Sequence, residues 1–373
     1  MKILQYLHEH LPQILQDIED LVKRESPSQD KRLAEECARF LQGLMLERLG
    51  VQMTAIPNEQ VGPHLKFLFG EGKGRVMILA HYDTVWPQGT LPIRAEKDRL
   101  YGPGVLDMKA GIIQAVWSLK AIHDLHLSLN SEILFLLTSD EEIFSNTSRA
   151  LIEEEAKRCK AVFVVEPAAA PSQALKIARK GAAKYVLTVH GISSHAGNHP
   201  DVEASAVHEA AHQIIRLEQL ARPDIGTTIN VGVISGGTLS NVVADFARLE
   251  VDVRFKTLAE GERVHRQITG LKPVLKRTRL DIEGQINRPP LEPTEQSKRL
   301  FQLAQQIAAK LGFQLGGEEV GGVSDGNFTA ALGVPTLDGL GAVGEGPHAH
   351  HEHILIAEVP KRSALLAHLL LSV

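Results

Sequence analysis

The chain has 373 residues, of which 40 are Lys or Arg and 45 are Asp or Glu, for a net charge of −5. This balance, with 43% hydrophobic residues, is typical of a globular protein of two or three domains. The acidic net charge argues against a nucleic-acid partner, and no apolar run approaches the ~20 residues of a membrane span. Histidine is abundant, at 17 residues, which raises the question of a metal site without answering it.

The N-terminal segment, residues 1–23, predicts one amphipathic helix because its apolar residues recur every three or four positions. It does not resemble a signal peptide, since His8, Glu9 and His10 stand where the apolar centre would lie. The two cysteines form no CxxC motif, so neither a disulfide framework nor a cysteine zinc site is expected. We therefore expect a reducing, cytoplasmic setting.

Three short, continuously apolar segments predict buried strands, at 75–80, 133–138 and 161–165. Helical patterns separate them, at 108–122 and 148–158. This alternation predicts an α/β fold in which helices cover both faces of a sheet.

The pattern changes after a proline-containing stretch at 167–171. Six elements follow in the order strand, helix, strand, strand, helix, strand, which is the order of the ferredoxin-like α+β unit. Their predicted ranges are 184–190, 203–220, 227–234, 248–255, 260–271 and 279–286.

Three prolines at 289, 290 and 293 mark the return of α/β character. The sequence therefore predicts an α/β, mixed-sheet, three-layer domain formed by residues 1–178 and 291–373. An inserted ferredoxin-like α+β domain at 179–290 interrupts it. No internal repeat is visible.

Chemically active side chains follow each of the three predicted strands. His81 and Asp83 follow the first strand, Asp140–Glu142 follow the second, and Glu166 follows the third. Ligand sites of open α/β sheets lie beyond the carboxyl ends of the strands. Two further candidates are Asp107, just before a predicted helix, and the histidine-rich segment 348–353.

Each of these residues has an ordinary structural explanation. A histidine at a strand end is commonly a hydrogen-bonded structural residue, and Asp107 could be a helix N-cap. The acidic run 140–142 could favour a helix N-terminus, and the late histidines could form a solvated loop. Independent caps need not converge on one edge of a sheet, however, so together these residues indicate a metal site.

The donors of this predicted site are nitrogen and oxygen only, which suits Zn²⁺, with Mn²⁺ or Co²⁺ as possible substitutes. Five side chains exceed the three that one catalytic zinc usually takes. They fit two metals about 3.5–4 Å apart if one carboxylate bridges. Glu141 then remains as general base, and Asp83 is placed to orient the imidazole of His81. The five predicted ligands are His81, Asp107, Glu142, Glu166 and His348.

Four motifs resemble those of the co-catalytic zinc exopeptidases and deacylases, at 81–85, 102–109, 140–142 and 166–167. That family includes glutamate carboxypeptidase, acetylornithine deacetylase, succinyl-diaminopimelate desuccinylase and aminoacylase. The resemblance also implies a cis peptide after the bridging aspartate and a His followed four residues later by Glu, as in His348 and Glu352. It implies His81 and Glu166 on one metal, Glu142 and His348 on the other, Asp107 bridging, Glu141 as catalytic base and Asp83 beside a ligand.

The inserted domain resembles the lid and dimerisation domain of the same family. The segment 194–197 matches the one whose His polarises the scissile carbonyl, across the subunit interface in dimeric members, which assigns this role to His195. Segments 240–243 and 252–255 resemble those that hold the substrate carboxylate, which implicates Asn241 and Arg254. Without the resemblance, a strand-surface salt bridge is the simpler reading of Arg254. The loop 321–325 resembles another substrate-contacting segment and implicates Ser324.

The resemblance implies a homodimeric two-metal hydrolase that cleaves an amide bond of a small peptide or N-acyl amino acid. A departure from the deacylases is the absence of glycine at 143–147, and this segment fits the glutamate carboxypeptidase branch better. We therefore expect release of a C-terminal, glutamate-type residue. An N-acyl-amino-acid deacylase of the acetylornithine or succinyl-diaminopimelate type is the alternative. A non-enzymatic hypothesis is a catalytically silent peptide-binding module.

A rival enzyme reading comes from the G-x-S-x-G motif at 322–326, with Ser324, Asp338 and His348 in the chain order of an α/β-hydrolase triad. A nucleophile elbow requires a firm strand before the serine. The glycine-rich, acidic segment 316–321 predicts a poor strand, which argues against this reading.

Overall fold

The computed structural model describes residues 2–373, which divide into two compact units. The main unit comprises the residues up to Ala178 together with Pro293–Val320 and Ser324–Val373. The inserted unit comprises Arg179–Glu292 and Gly321–Val323. Among residues 2–373, no helix combines the length and apolar character that crossing a bilayer requires.

The first part of the main unit alternates helices and strands. Its helices are α1 (Lys2–Glu9), α2 (Leu11–Val22), α3 (Lys31–Leu49), α4 (Ala110–Asp124) and α5 (Arg149–Ala156). Its strands are β1 (Thr54–Ile56), β2 (His64–Phe69), β3 (Arg75–His81), β4 (Arg94–Glu96), β5 (Arg99–Tyr101), β6 (Glu132–Thr138), β7 (Ala161–Val164) and β8 (Leu175–Arg179).

The N-terminal segment differs from the prediction of one helix. It forms two helices, α1 and α2, which are interrupted at His10. Pro12 stands in the first turn of α2, where its missing N–H is harmless, but the same residue cannot continue the hydrogen-bond ladder of α1.

The principal sheet has six strands in the order β1-β2-β6-β3-β7 followed by β16 (Thr336–Leu337). Strand β3 runs parallel to β6 and β7, and β16 runs parallel to β7. Strand β2 runs antiparallel to both of its neighbours, β1 and β6. This mixed sheet is covered on both faces, because alternate residues of its buried strands join different core clusters. The three-layer α/β prediction is confirmed.

The inserted unit follows in the chain. Its elements are β9 (Gly181–His190), β10 (Ser194–His195), α6 (Ala206–Glu218), β11 (Thr228–Gly236), β12 (Val242–Val243), β13 (Phe246–Phe255), α7 (Leu258–Thr269) and β14 (Arg279–Arg288). Four strands form an antiparallel sheet in the order β11-β13-β9-β14. Burial alternates along β9 and β13, and the buried face packs on α6 and α7. This arrangement has the strand order of the ferredoxin-like unit.

The chain then completes the main unit. The last elements are α8 (Glu295–Lys310), β15 (Gly317–Val320), α9 (Gly326–Ala331), β16, β17 (Gly344–Glu345), β18 (His353–Leu355) and α10 (Val359–Ser372). Strand β15 pairs with β8, and a small sheet has the order β17-β18-β5-β4. The prediction that 316–321 is a poor strand was wrong, because pairing with β8 supplies the hydrogen bonds that its composition does not favour.

Candidate metal centre

The parallel strands of the main unit bring three side chains to one edge of the sheet, and a loop adds a fourth. His81 ends β3, Glu142 lies in the short 3-10 turn after β6, and Glu166 follows β7. Asp107 comes from the loop before α4 and follows a left-handed Gly104. Ligand atoms of His81, Asp107 and Glu142 all lie within 4.8 Å of one another.

Asp107 lies between two histidines. Its Oδ1 is 3.3 Å from Nε2 of His81, and its Oδ2 is 3.3 Å from Nε2 of His348. His81 Nε2 is also 3.3 Å from Oε1 of Glu166, and His348 Nε2 is 3.1 Å from Oε2 of Glu142. The cluster is therefore two His–carboxylate pairs that share one aspartate.

Burial and the neighbouring charges have opposing effects on the pKa values of the side chains in this cluster. Burial disfavours ionised Asp107, but the imidazoles of His348 and His81, each 3.3 Å away, outweigh it and hold the pKa of Asp107 well below its usual range. The same contacts, Asp107 first and Glu142 second, raise the pKa of His348 to about 11. Burial, with repulsion from Asp107, raises the pKa of Glu142 to about 7. Protonated histidines thus balance carboxylates that would otherwise repel.

The donor set fits divalent cations. Oδ1 of Asp107 is buried and forms no hydrogen bond of good geometry, although His81 is close to it. A buried carboxylate oxygen of this kind normally has a partner. Two imidazoles and three carboxylates offer nitrogen and oxygen ligands of the type that Zn²⁺, Mn²⁺ or Co²⁺ accept.

The carboxylate of Asp83 is directed mainly at the turn that carries the two glutamates. It accepts hydrogen bonds from the backbone N–H groups of Glu141 and Glu142, both at 3.2 Å, and from the hydroxyl of Ser28 at 2.7 Å. The imidazole of His81 instead donates through Nδ1 to the backbone carbonyl of Asp83 at 3.0 Å, with the carboxylate at 3.5 Å. Residue 83 therefore orients both the imidazole and the Glu141–Glu142 turn.

The turn after Glu142 contains two residues other than glycine in the left-handed region. Phe144 has φ 77° and Ser145 has φ 52°, a conformation that favours glycine. Side-chain contacts fix it: Ser145 donates to Asp325 at 2.5 Å, and Asp140 accepts from the N–H and hydroxyl of Thr147. Anchoring by side chains thus takes the place of glycine's conformational freedom.

Glu352 is a site residue whose role the sequence did not reveal. Its side chain is 1% exposed. Oε2 accepts from Nε1 of Trp86 at 2.6 Å and from N–H of Gly104 at 3.1 Å. Oε1 accepts from N–H of Leu106 at 2.9 Å and of Asp107 at 3.1 Å. The spacing of His348 and Glu352 was the available signal, but only the fold shows that Glu352 fixes the backbone of Asp107.

The peptide bond between Asp107 and Met108 is cis, as the resemblance implied. Lys176 is a further neighbour of the cluster: its Nζ lies 4.0 Å from Oε2 of Glu166. No sequence motif pointed to this residue.

His195 and Asn241 lie together in the inserted unit. Strand β10 pairs with β12, and the N–H of Ala196 donates to the carbonyl of Asn241 at 2.9 Å. The side chain of His195 is exposed, and its Nδ1 accepts from the N–H groups of Gly197 and Asn198 at 3.1 and 3.2 Å. A neutral ring held in this way carries its proton on Nε2, which is then a hydrogen-bond donor.

Arg254 forms a salt bridge on the surface of a strand, which was the simpler prediction for this residue from the sequence alone. Its Nε and Nη2 donate to the two carboxylate oxygens of Asp252 at 2.9 and 3.0 Å. Contact of Arg254 with a substrate carboxylate stays a prediction, and it requires the substrate to compete with Asp252.

Ser324 is fully buried in the main unit, and its hydroxyl donates to Asp338 at 2.5 Å. Contact with a substrate stays a prediction that requires this bond to open. The hydrolase triad is not formed, because a triad serine must donate to a histidine. His348 instead faces Asp107 and Glu142.

Comparisons with known proteins agree with the fold. Carboxypeptidase G2 of Pseudomonas sp. (strain RS-16) is 28% identical, and the alignment covers 96% of this chain and 89% of the carboxypeptidase. A succinyl-diaminopimelate desuccinylase of Leptothrix cholodnii is 28% identical over 93% and 95% of the two chains. The solved structure of aminopeptidase PepT from Bacillus cereus superimposes with a TM-score of 0.79 at 21% identity, over 96% and 98%. The model of peptidase family M20/M25/M40 matches residues 77–372, and the chain belongs to this family of metal-dependent peptidases and amidohydrolases.

Proposed function

We propose that the chain is a two-metal, carboxypeptidase-like amidohydrolase that releases a C-terminal, glutamate-type residue from a peptide or N-acyl amino acid. The observation that carries the two-metal proposal is the position of Asp107 between two His–carboxylate pairs. Likeness to carboxypeptidase G2 over nearly the whole chain supports the carboxypeptidase branch. Likeness to a desuccinylase of similar coverage keeps N-acyl-amino-acid deacylation as the second candidate.

The proposed ligand sets follow the observed pairs. His81 and Glu166 would hold one Zn²⁺, Glu142 and His348 would hold the other, and Asp107 would contact both, with Mn²⁺ or Co²⁺ as substitutes. Divalent cations in this position would supply Lewis acidity to the scissile carbonyl and lower the pKa of water.

Glu141 is the proposed general base, which takes a proton from the attacking water and passes it to the leaving amine. The hydrogen bond between its N–H and Asp83 holds its backbone in place. In the inserted unit, Nε2 of His195 is the proposed donor to the carbonyl oxygen as negative charge develops there. Asn241 and Arg254 are the proposed contacts of the substrate carboxylate.

Replacement of Glu141 by Ala tests this mechanism. Metal content should stay at the wild-type value, while kcat for an N-acyl-L-glutamate should fall by about 10²–10⁴-fold, the contribution typical of a positioned acid–base group. Glu154→Ala, at an exposed glutamate of α5, is the matched control and should keep wild-type kcat.

Chelators should abolish this activity, and Zn²⁺, Mn²⁺ or Co²⁺ should restore it. Retention of most of kcat in Glu141→Ala would refute the mechanism. Inhibition by a serine-directed phosphonate with inert chelators would favour a serine hydrolase, and peptide binding by an inactive, metal-free protein would favour the binding module.

A homodimer through the inserted unit is part of the proposal. Strand β11 is an edge strand of its sheet, and Val233 and Ile234 are 47% and 58% exposed. Apolar edge strands tend to pair with another chain. Light scattering should give twice the chain mass, and Ile234→Lys should give the monomer. Recovery of activity on mixing inactive Glu141→Ala and His195→Ala proteins would show that His195 serves the partner's site, whereas a wild-type monomer would contradict the dimer.

A further inference from the structure

The segment that carries the proposed general base, Glu141, is closed by the side chain of the residue before it. Asp140 is 1% exposed, and its Oδ2 accepts from the N–H and the hydroxyl of Thr147 at 2.7 and 2.8 Å. Its backbone carbonyl accepts from the N–H of Ser145 at 2.8 Å. Residues 140–147 therefore form a closed loop, the base loop, whose shape depends on the contacts of Asp140.

His64, the first residue of β2, contacts both ends of the base loop. Its side chain is 2% exposed, and its Nε2 lies 3.0 Å from the hydroxyl oxygen of Thr147. Its Nδ1 lies 3.2 Å from the hydroxyl oxygen of Ser139, which directly precedes the loop. A single imidazole therefore connects the chain that enters the loop with the residue that ends it.

The backbone around His64 is itself held in place. The hydroxyl of Ser139 donates to the carbonyl of Gly62 at 2.5 Å, and the hydroxyl of Tyr82 donates to the carbonyl of Pro63 at 2.6 Å. From the next residue onwards, β2 is paired with β6, the strand that leads into the base loop. The imidazole thus stands on a fixed support.

The hydrogen bonds of the two hydroxyl groups assign the proton of the ring. Burial lowers the pKa of His64 despite three nearby carboxylates, so the ring is neutral near pH 7 and carries one N–H. The hydroxyl of Thr147 has one hydrogen and donates it to Asp140, so it can only accept from His64. This arrangement prevails because a hydrogen bond to a carboxylate is about twice as strong as one between neutral groups. The proton therefore lies on Nε2, and the contact at Nδ1 is the weaker one, since Ser139 directs its hydrogen to Gly62.

We propose that His64 is a positioning residue for the hydrolytic step. Its Nε2–H holds the hydroxyl of Thr147 against Asp140, and Asp140 in turn fixes the loop from which Glu141 acts on the attacking water. The inference rests on the proposed function, in which Glu141 is the general base. Without this donor the hydroxyl of Thr147 can turn away from Asp140 and the base can shift, and a misplacement of about 1 Å can cost about 10²-fold in rate.

Two variants with amide side chains separate the two contacts of the ring. The amide of His64→Gln extends to the position of Nε2 and can still donate to Thr147, whereas that of His64→Asn ends near Nδ1 and reaches only Ser139. With an N-acyl-L-glutamate, kcat per metal-loaded site should fall by about 10–10²-fold in His64→Asn, with KM unchanged, and should stay close to the wild-type value in His64→Gln. His8→Asn, at an exposed histidine of α1, is the matched control and should keep the wild-type kcat.

Variants of Thr147, which is only half-buried, test the same chain of hydrogen bonds with less risk to folding. Thr147→Val removes the hydroxyl but keeps the shape and should lower kcat as much as His64→Asn, whereas Thr147→Ser keeps the hydroxyl and should retain kcat. The double variant of His64→Asn and Thr147→Val should lower kcat no further than either single variant, because both changes break one chain. A residue that only stabilised the fold would reduce the yield of folded protein without this pattern in kcat.

Hydrogen exchange of the metal-loaded, full-length protein gives a readout that is independent of activity. The amides of residues 140–148 should exchange faster in His64→Asn than in the wild type or in His64→Gln. Wild-type exchange in His64→Asn, or equal kcat in His64→Asn and His64→Gln, overturns the positioning role while the amidohydrolase stands. Failure of the fully metal-loaded wild type to hydrolyse any N-acyl-L-glutamate overturns the proposed function and the role of His64 in it.

Discussion

Glu352 is expected to be as important for folding as for the metal centre, because one buried carboxylate accepts four hydrogen bonds. Glu352→Ala leaves four buried donors without an acceptor. Even at about 1 kcal/mol for each donor, the low end of the usual cost, the variant loses about 4 kcal/mol. That is a large fraction of the roughly 5–15 kcal/mol that stabilises a typical protein.

Glu352→Gln is the sharper perturbation because it keeps the volume of the side chain. The amide retains one oxygen, but its NH₂ group faces two donors, so two of the four hydrogen bonds are lost, at a cost of about 2–3 kcal/mol. Trp86→Phe removes one donor and leaves the carboxylate three partners, so its cost should be about 1 kcal/mol. The double variant should cost less than the sum, since both changes remove the same Trp86–Glu352 bond.

Urea unfolding measures these free energies, and titration calorimetry of the metal-free protein measures metal affinity. The affinity should fall in Glu352→Gln, since the amide leaves two of the four donors around the Asp107 loop without an acceptor. The carboxylate of Asp107 is then held less firmly between His81 and His348. Glu154→Gln, at an exposed glutamate, is the control for both measurements. Glu352→Gln with the stability and metal affinity of this control would refute the reasoning.

The pKa of His348 leads to two predictions, and the packing around Gly111 leads to a third. The pKa of His348, raised to about 11 by Asp107 and Glu142, means that metal binding near pH 7 must displace a proton. The calorimetric enthalpy should therefore vary with the ionisation enthalpy of the buffer, and the apparent affinity should fall as the pH falls. In the metal-free protein the contribution of His348 to stability is complete below about pH 6.5, and it is lost as the pH rises towards 11. Gly111→Ala would place Cβ 2.1 Å from a backbone carbonyl oxygen and should destabilise the protein by about 1–3 kcal/mol in urea, whereas Gly43→Ala, with open space around it in α3, should not.

Much of the main unit could be predicted from three apolar segments. Strands β3, β6 and β7 lie within a residue or two of the predicted ranges, because strands buried on both faces are continuously apolar. Parallel neighbours end at one edge of a sheet, so the residues that follow them had to meet there. In the inserted unit, alternation of apolar residues along the strands and a helical period between them predicted the order of the elements.

Short elements could not be predicted, for a physical reason. Strands β15, β17 and β18 have two to four residues, too few for a period to appear. Strands β15 and β18 pair with β8 and β5 from distant parts of the chain, and β17 pairs with β18. The break between α1 and α2 is similar, since one proline ended a pattern that is otherwise continuous. In each case a local exception or a tertiary contact overrode the pattern.

The candidate ligands and the residues that hold them differ in how visible they are from sequence. His81, Glu142 and Glu166 can be recognised because each follows a strand, and the geometry of the sheet brings strand ends together. Glu352 acts on the N–H of Asp107 from 245 positions away, through backbone donors that carry no sequence signature. A motif therefore shows which atoms can reach a metal. Whether those atoms are held ready for it depends on buried carboxylates such as Glu352 and Asp83, which only the folded chain places.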